Sequence, residues 1–294
     1  MLLKLRKKSE FMLNIGQINR LLVSDAFPFG FYLKHSLEDS PEDAVLLPLE
    51  DAPDPCEIGM ALDVFVYHDS DDRLVATLNT PNAMLNDVAF MRVKHVTGVG
   101  AFLDWGLKKD LLVPHSEQAK PLQERLGYVV FVYQDEETDR LAASTKLHRF
   151  LDETNEQHFR AKQPVKLLIY GKTELGYKAI IDGSHLGLIF KDEVIFPLRV
   201  GDTVDGFIKR IRSDDKIDLC FQFHDDNARA SLADQILDDL EAHGGISTLT
   251  DKSPANEISQ RFGVSKGAYK KALGALYKQK RIVLEKDKIT LISK

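Results

Sequence analysis

The sequence predicts a mainly β protein: small five-stranded barrels repeated three times, followed by a small α+β domain at the C-terminal end. Three observations carry that expectation. A hairpin signature returns along the 294 residues, a glycine-broken apolar stretch precedes each copy, and the chain changes to helical spacing after His224.

The hairpin is clearest in Gly59-Met-Ala-Leu-Asp-Val-Phe-Val-Tyr-His-Asp followed by Asp72-Arg73-Leu74-Val75-Ala76-Thr77. It reappears 68 residues later as Gly127-Tyr-Val-Val-Phe-Val-Tyr-Gln-Asp with Asp139-Arg140-Leu141-Ala142-Ala143-Ser144. A looser third copy runs from Gly201 through Ile211 and then Asp215 to Leu219. Each reads as a β-branched and aromatic strand, an acidic turn and a second short strand. Upstream, Phe29-Gly30-Phe31-Tyr32-Leu33 matches Val99-Gly100-Ala101-Phe102-Leu103 and, weakly, Leu175-Gly176-Tyr177-Lys178-Ala179. A glycine inside a strand pattern marks a bulge or sharp bend, which lets a small sheet curl. Between the two elements lie Leu46-Leu47-Pro48, Leu112-Val113-Pro114 and Leu188-Ile189-Phe190. The order is strand, Gly-bent strand, short strand, loop and hairpin, which describes the OB-fold.

The best copy, Val93-Lys-His-Val-Thr-Gly-Val-Gly-Ala-Phe-Leu with Leu111-Leu-Val-Pro-His-Ser-Glu and its hairpin, resembles the S-one RNA-binding domain, an OB-fold variant. Three such domains and a winged helix resemble the conserved virulence factor B family of bacterial RNA-binding proteins, over nearly the whole chain from about Met12. The expected division is a tail over 1–11, barrels over 12–82, 83–150 and 151–224, and a winged helix over 225–294. The segment Leu147 to Phe159 reads as a helical spacer between the second and third barrels.

The winged-helix expectation comes from the tail's own spacing. Leu232, Ile236, Leu237 and Leu240 form one helical stripe, stopped by Gly244-Gly245. Ser253-Pro254 offers an N-cap before a proline at the first helical position, and Ile258 and Phe262 give the next helix its apolar face. After Gly263-Val264, Ser265 to Tyr277 places Ala268, Ala272, Ala275 and Leu276 inward, and Ile282 to Ile292 reads as a hairpin with a charged tip.

Composition narrows the function classes. At 44% hydrophobic and 29% charged residues the chain is an ordinary globular one. Two cysteines, Cys56 and Cys220, are too few for a disulfide framework or a thiolate zinc site, which fits a reducing cytoplasm. The longest fully apolar run has six residues, Tyr128 to Tyr133, far short of a membrane span of roughly 20. Lys4, Arg6, Lys7 and Lys8 after Leu2-Leu3 read as a solvated tail rather than a signal peptide, with Met12 an alternative start. Net charge is −6, but residues 251–294 hold 11 basic and 4 acidic side chains, so a basic end follows an acidic body. That asymmetry suits nucleic acid, whose phosphates are met by Lys and Arg.

Binding single strands without sequence preference needs flat rings for bases and cations for the backbone. The family resemblance implies where these lie: two rings flanking the bending glycine, a histidine in the next strand, and Asp and Arg from the hairpin. The first repeat supplies Phe29, Tyr32, Asp69 and Arg73, with Pro48 at the histidine position. Phe102, Asp135 and Arg140 come from the second, with Val99 and Pro114 replacing the other ring and the histidine. In the third, Leu175 and Lys178 stand where rings should be, and Phe190, Asp214 and Lys216 remain. The competing reading is that Phe29, Tyr32 and Phe102 only pack the barrels and that Lys34, Lys94, Lys108 and Lys109 only solubilise their strands. Trp105 is expected to cover a barrel end. The winged helix would add Lys266, Tyr269, Lys270, Lys271, Arg281, Lys286 and Lys288 against phosphates.

Enzymatic readings find little support. Gly171-Lys172-Thr173 looks like the end of a phosphate-binding loop, but Lys166 stands where the first glycine is required. Gly98-Val-Gly100 lacks its third glycine, and no His-Glu-x-x-His pair occurs. Asp234, Asp238 and Asp239 hint weakly at a metal, yet carboxylates near a helix start are favoured by the dipole. The expectation is therefore a non-enzymatic cytoplasmic protein without metal or cofactor. It would bind single-stranded RNA in post-transcriptional regulation, with a protein as a second partner of the winged helix. The alternatives are a winged-helix DNA regulator and a protein-docking subunit of an RNA-processing or translation assembly.

Overall fold

In the computed structural model, residues 13–221 and 226–292 are described, and they divide into two units on either side of Leu147. The basic N-terminal group and Met12 lie outside the described residues. The first barrel is built from β1 (Ile18–Phe27), β2 (Gly30–Lys34), β3 (Val45–Pro48), β4 (Ala61–His68) and β5 (Leu74–Thr77), closed in the order β1-β2-β3-β5-β4. The second follows with β6 (Val88–Val96), β7 (Gly100–Leu103), β8 (Leu111–Pro114), β9 (Gly127–Gln134) and β10 (Leu141–Ser144), a five-stranded sheet curled until β8 and β10 touch. The third is closed again from β11 (Pro164–Lys172), β12 (Gly176–Ile181), β13 (His185–Phe190), β14 (Thr203–Ile211) and β15 (Ile217–Cys220).

The repeated glycine has a steric cause. A Cβ at Gly30, Gly100 or Gly176 would stand 2.3, 2.3 or 1.9 Å from the carbonyl oxygen of Leu47, Val113 or Ile189 on the adjacent strand. The glycine thus admits a close backbone approach, and a bulge in the preceding strand lies opposite the residues two and three positions after it. The ladder slips between Val23 and Asp25, between Val93 and His95, and between Ile169 and Gly171.

Within the first unit the two barrels share one core. Phe65, Tyr67 and Val75 of the first pack with Met91, Val93, Leu103 and Leu111 of the second. Trp105 is the hub: its indole N–H donates to the Ala83 carbonyl at 2.8 Å, and its ring meets Phe65 and Tyr67 edge to face at 5.6 and 6.2 Å. It therefore does more than cover a barrel end. Lys109 donates to the carbonyls of His68 and Asp69, both at 2.8 Å, and burial holds its pKa below the ordinary lysine value. Lys108 pairs with Glu50 and with Asp51, and Lys94 with Asp110 at 2.7 Å. Lys34 is buried, so none of the four lysines is merely a solvated charge.

In the second unit the expected helical spacer is not formed. Only Leu147–Arg149 make a single 3-10 turn, after which Asn155 accepts from Phe159 N–H and donates back to the Phe159 carbonyl. Phe159 is thereby set into the core of the third barrel. Packing of one aromatic ring overrides the weak helical spacing of the segment.

The tail folds as α1 (Asp226–Ala242), β16 (Ile246–Ser247), α2 (Ala255–Phe262), α3 (Lys266–Lys278), β17 (Ile282–Leu284) and β18 (Ile289–Leu291). The wing has three strands in the order β16-β18-β17 rather than the two expected. Pro254 itself is the N-cap of α2, one residue later than Ser253, whose hydroxyl instead accepts from Thr250 N–H. Gly263 ends that helix in the left-handed conformation (φ 64°), and Ser265 caps α3 through its hydroxyl. Leu273 is buried and Ala275 exposed, reversing the expected inward position of Ala275. Among the described residues no helix is long and apolar enough to cross a membrane, and no acidic, His or Cys cluster could hold a metal.

Candidate nucleic-acid interface

The outer face of each barrel is ordered by strand register. In the first, Tyr32 lies opposite Asp25 on one side and Leu46 on the other, and Leu46 lies beside Val75, which faces Tyr67. Phe29 stands just before β2 with 55% of its surface exposed. Its ring stacks on Phe27 at 5.4 Å and meets Tyr32 edge to face at 6.4 Å. Phe27 meets Tyr32 at 5.5 Å, so three rings form one open platform. The competing packing reading does not fit Phe29, which leaves more than half its surface to water. Phe27 escaped sequence reasoning, although Phe27-Pro-Phe29 sets two aromatics two positions apart at the turn from β1 to β2.

The second barrel repeats the row with different side chains. His95 and Phe102 occupy the places of Asp25 and Tyr32, and their rings stack at 4.8 Å with 21° between planes. Val99, at the Phe29 position, is exposed. His95 was also missed, because the bulge that puts it beside Phe102 has no local sequence mark. His115, next to Pro114, places Nε2 3.1 Å from the Thr97 carbonyl.

The hairpin acids and cations serve the turns first. Asp69 accepts from Arg73 Nε and Nη2 at 2.9 and 2.6 Å and from the N–H of Asp71 and Arg73. Burial raises its pKa, but those hydrogen bonds outweigh it and leave the carboxyl below its ordinary value. Asp135 accepts from the Thr138 hydroxyl and from Thr138 and Glu137 N–H, which lowers its pKa as well. Arg140 reaches from the second barrel to Asp72 of the first at 2.6 Å. Arg73 and Arg140 thus hold ion pairs at the hairpin turns.

The third barrel keeps the row and changes its chemistry. Gly171, Lys178, Leu188, Asp218 and Arg210 follow one another across β11, β12, β13, β15 and β14. Lys178 replaces the ring of Tyr32 or Phe102, and Asp218 replaces Val75. The turn position of Asp69 and Asp135, fixed by its bond to the Arg73 or Arg140 carbonyl, is taken by Arg212, which donates to Lys216 O at 2.9 Å. Asp214 is therefore not the counterpart of the other two acids; it pairs with Arg212 at 3.2 Å. Lys178, Lys216, Arg212 and Tyr170 line a pocket of about 290 Å³. Phe190 is half-buried opposite Gly176 and lies outside that pocket.

On the winged helix Lys270 and Lys271 are exposed on α3, and Arg281, Lys286 and Lys288 on or beside the wing. Lys278 and Lys280 extend the same basic end and are legible in Tyr277-Lys278-Gln279-Lys280-Arg281. Lys266 donates to the Lys252 carbonyl at 3.2 Å. Tyr269 is a correction: it is buried, stacks on Phe262 at 5.2 Å and donates its hydroxyl to the Leu249 carbonyl at 2.7 Å. Position four of α3 faces inward, beside Ala268 and Ala272, so this ring is core rather than phosphate contact.

Comparison with known proteins agrees with this architecture. The S1 domain family model matches residues 15–79 and 88–146, and the CvfB-like winged helix domain model matches residues 234–291. A Staphylococcus saprophyticus protein named conserved virulence factor B is 30% identical over 267 residues, covering 82% of this chain and 83% of that one. The chain belongs to the conserved virulence factor B family. Family relatives include a Staphylococcus aureus protein of that name, 29% identical with 82% of each chain covered. The Bacillus subtilis protein YitL is 25% identical over 288 residues, 95% of this chain and 94% of that one. A solved Streptococcus pneumoniae structure, described as a multidomain protein with nucleic acid binding domains, gives a TM-score of 0.41 at 23% identity over 95% of this chain and 98% of that one.

In this family member, the S1 domains are of a nucleic-acid-binding kind, and the S1 and winged-helix domains are of non-enzymatic kinds. The two stretches matched as S1 domains are the barrels with aromatic outer rows. Gly171-Lys172 falls within β11 rather than in a loop opening a helix, which removes the phosphate-loop resemblance.

Proposed function

We propose that this protein is a cytoplasmic, non-enzymatic binder of single-stranded RNA that acts in post-transcriptional regulation. The observation that carries the reading is the open platform of Phe27, Phe29 and Tyr32, continued in kind by His95 and Phe102. Exposed rings offer π-faces to bases of any identity, at about 1–3 kcal/mol per stacked base. Arg73 and Arg140, exposed at the hairpin turns of the first two barrels, add cations there, Lys178 and Lys216 serve the third barrel, and Lys270, Lys271, Arg281, Lys286 and Lys288 bind phosphates from the winged helix. Weak modules on one chain gain affinity through effective concentration.

The DNA-regulator alternative is disfavoured by the start of α3. A helix-turn-helix reader contacts base edges with the first residues of its recognition helix. Here Gly267 lies against Asp192, close enough that a Cβ would stand 3.4 Å from the Asp192 carbonyl, and the Ser259 hydroxyl donates to the Ile195 carbonyl. The third barrel thus covers the end of the helix that a major groove would need. The winged helix keeps its basic far end open instead.

Titration of the full chain against single-stranded RNA, single-stranded DNA and duplex DNA at two salt concentrations tests the reading. Preference for single-stranded RNA is expected, and preference for duplex DNA overturns it.

A further inference from the structure

We propose that the pocket on the outer face of the third barrel is a mononucleotide site, holding one base against its apolar wall and one phosphate at its lysine rim. The proposal deepens the reading above and rests on it for an RNA strand as one source of that nucleotide; a free nucleotide is the other.

Size is the first argument. About 290 Å³ falls just below the range of roughly 300–1,000 Å³ for small-molecule pockets, room for one nucleotide unit and not for a stacked row. The first two barrels offer open platforms instead. Leu175, Leu186 and Leu188 supply apolar surface, and Leu175 is 64% exposed at the entrance.

Charge is the second. Lys178 and Lys216 line the pocket, and neither ammonium pairs with a carboxylate among the described residues. Lys178 lies 5.9 Å from the Tyr170 ring, whose hydroxyl is pushed up to about 12 by burial and by the nearby Glu153 carboxylate. Two cations without carboxylate partners beside one cavity fit an anion, and a phosphate is the anion that an adjacent base would bring.

The third argument is the buried carboxylate. Asp218, at a position that is Val75 in the first barrel, forms part of the lining. Its Oδ2 accepts from Arg210 Nε at 2.6 Å, while Oδ1 is buried with no hydrogen-bond donor. An acceptor left unmet in such a place is costly, and the donor edge of a nucleobase would meet it. Two negative groups repel, so the phosphate takes the lysine rim and the base edge takes the Asp218 side.

The test uses the full chain. Calorimetric titration with the four nucleoside 5′-monophosphates and with inorganic phosphate is run on the native protein and on Lys178→Ala and Lys216→Ala, both exposed positions whose truncation leaves the core intact. In parallel, lysine acetylation is mapped with and without a single-stranded RNA oligonucleotide. Saturable binding of one monophosphate per chain, tighter than inorganic phosphate and weakened about tenfold by either substitution, supports a free nucleotide. Protection of both lysines by the oligonucleotide without monophosphate binding supports a strand nucleotide. Monophosphates bound equally by native and variant chains overturn the proposal, as does absence of both binding and protection. Monophosphate binding by a chain that binds no RNA upholds the pocket and sinks the RNA reading, so the two failures are separable.

Discussion

The first and third barrels share strand order, bulge position and the bending glycine, yet the rows of side chains that point out of them carry different chemistry. Across the same strands the first places Tyr32, Leu46, Val75 and Tyr67, of which Val75 and Tyr67 are covered by the second barrel, and the third places Lys178, Leu188, Asp218 and Arg210. Inward positions are held by the core, whose Leu21, Val23 and Leu33 have counterparts in Leu167, Ile169 and Ala179. Residues pointing out of the barrel diverged with what they meet: Val75 and Tyr67 pack against the second barrel, whereas Lys178 is exposed. A barrel of this kind is thus a fixed frame with an interchangeable face, and the same repeat can offer a stacking platform or a charged pocket.

The largest expected effect concerns how the barrels are held. Trp105→Ala removes the hub between the first two and should destabilise that unit by about 3–5 kcal/mol, the range for a buried aromatic. Scanning calorimetry of the full chain should show one transition falling while that of the third barrel stays in place. Equal shifts of every transition would break the division into units.

Next in size is the contrast between stacking and charge. Phe29→Ala with Tyr32→Ala should weaken binding of single-stranded RNA by about ten- to a hundredfold while leaving its salt dependence unchanged. Lys178→Ala with Lys216→Ala should instead flatten the plot of log K against log salt by about 0.7 per lost phosphate contact. If both pairs change the slope alike, the two faces do not differ in mechanism.

Within the winged helix the comparison is between core and surface. Tyr269→Phe should leave RNA affinity unchanged and cost about 1 kcal/mol of stability through the lost bond to Leu249, read by urea denaturation. Lys270→Ala should do the reverse, lowering affinity and salt slope with stability unchanged.

The smallest effects are in pH and at the rim. Burial depresses the pKa of His185 below its ordinary 6.5, so the folded third barrel keeps this ring neutral while the unfolded chain takes up a proton. Stability from that group is full above 6.5 and is lost as pH falls from there through the lower folded value. Asp69, lowered from its ordinary 3.8, gives the first barrel a similar loss only in much stronger acid. Thermal melts across mild acid should therefore weaken the third barrel first, and His185→Gln should abolish the difference. Arg140→Ala, which cuts an exposed pair with Asp72, should barely move the first transition.

Much of the frame was legible because it is local. The bending glycines, the hairpins and the apolar stripe of α1 are dictated by backbone sterics and by which side chains must leave water, and both are written at short range along the chain. Phe29, Tyr32 and Phe102 were legible through the same repeat. The rest depended on contacts far apart in sequence. Phe27 and His95 join the rings only because a bulge re-aims their strands, and Arg212 takes the place of Asp69 only in the hydrogen-bonded turn. Tyr269 is turned inward by the packing of α3, and Phe159 draws its segment out of the expected helix.

By itself, then, the sequence determined the repeated barrels and the basic winged helix, because periodicity and steric need are properties of neighbouring residues. The tertiary structure decided which faces stay open: the core shared around Trp105, the cover over the start of α3 and the charged pocket of the third barrel. Exposure is set by what a surface is packed against, and that partner lies elsewhere in the chain.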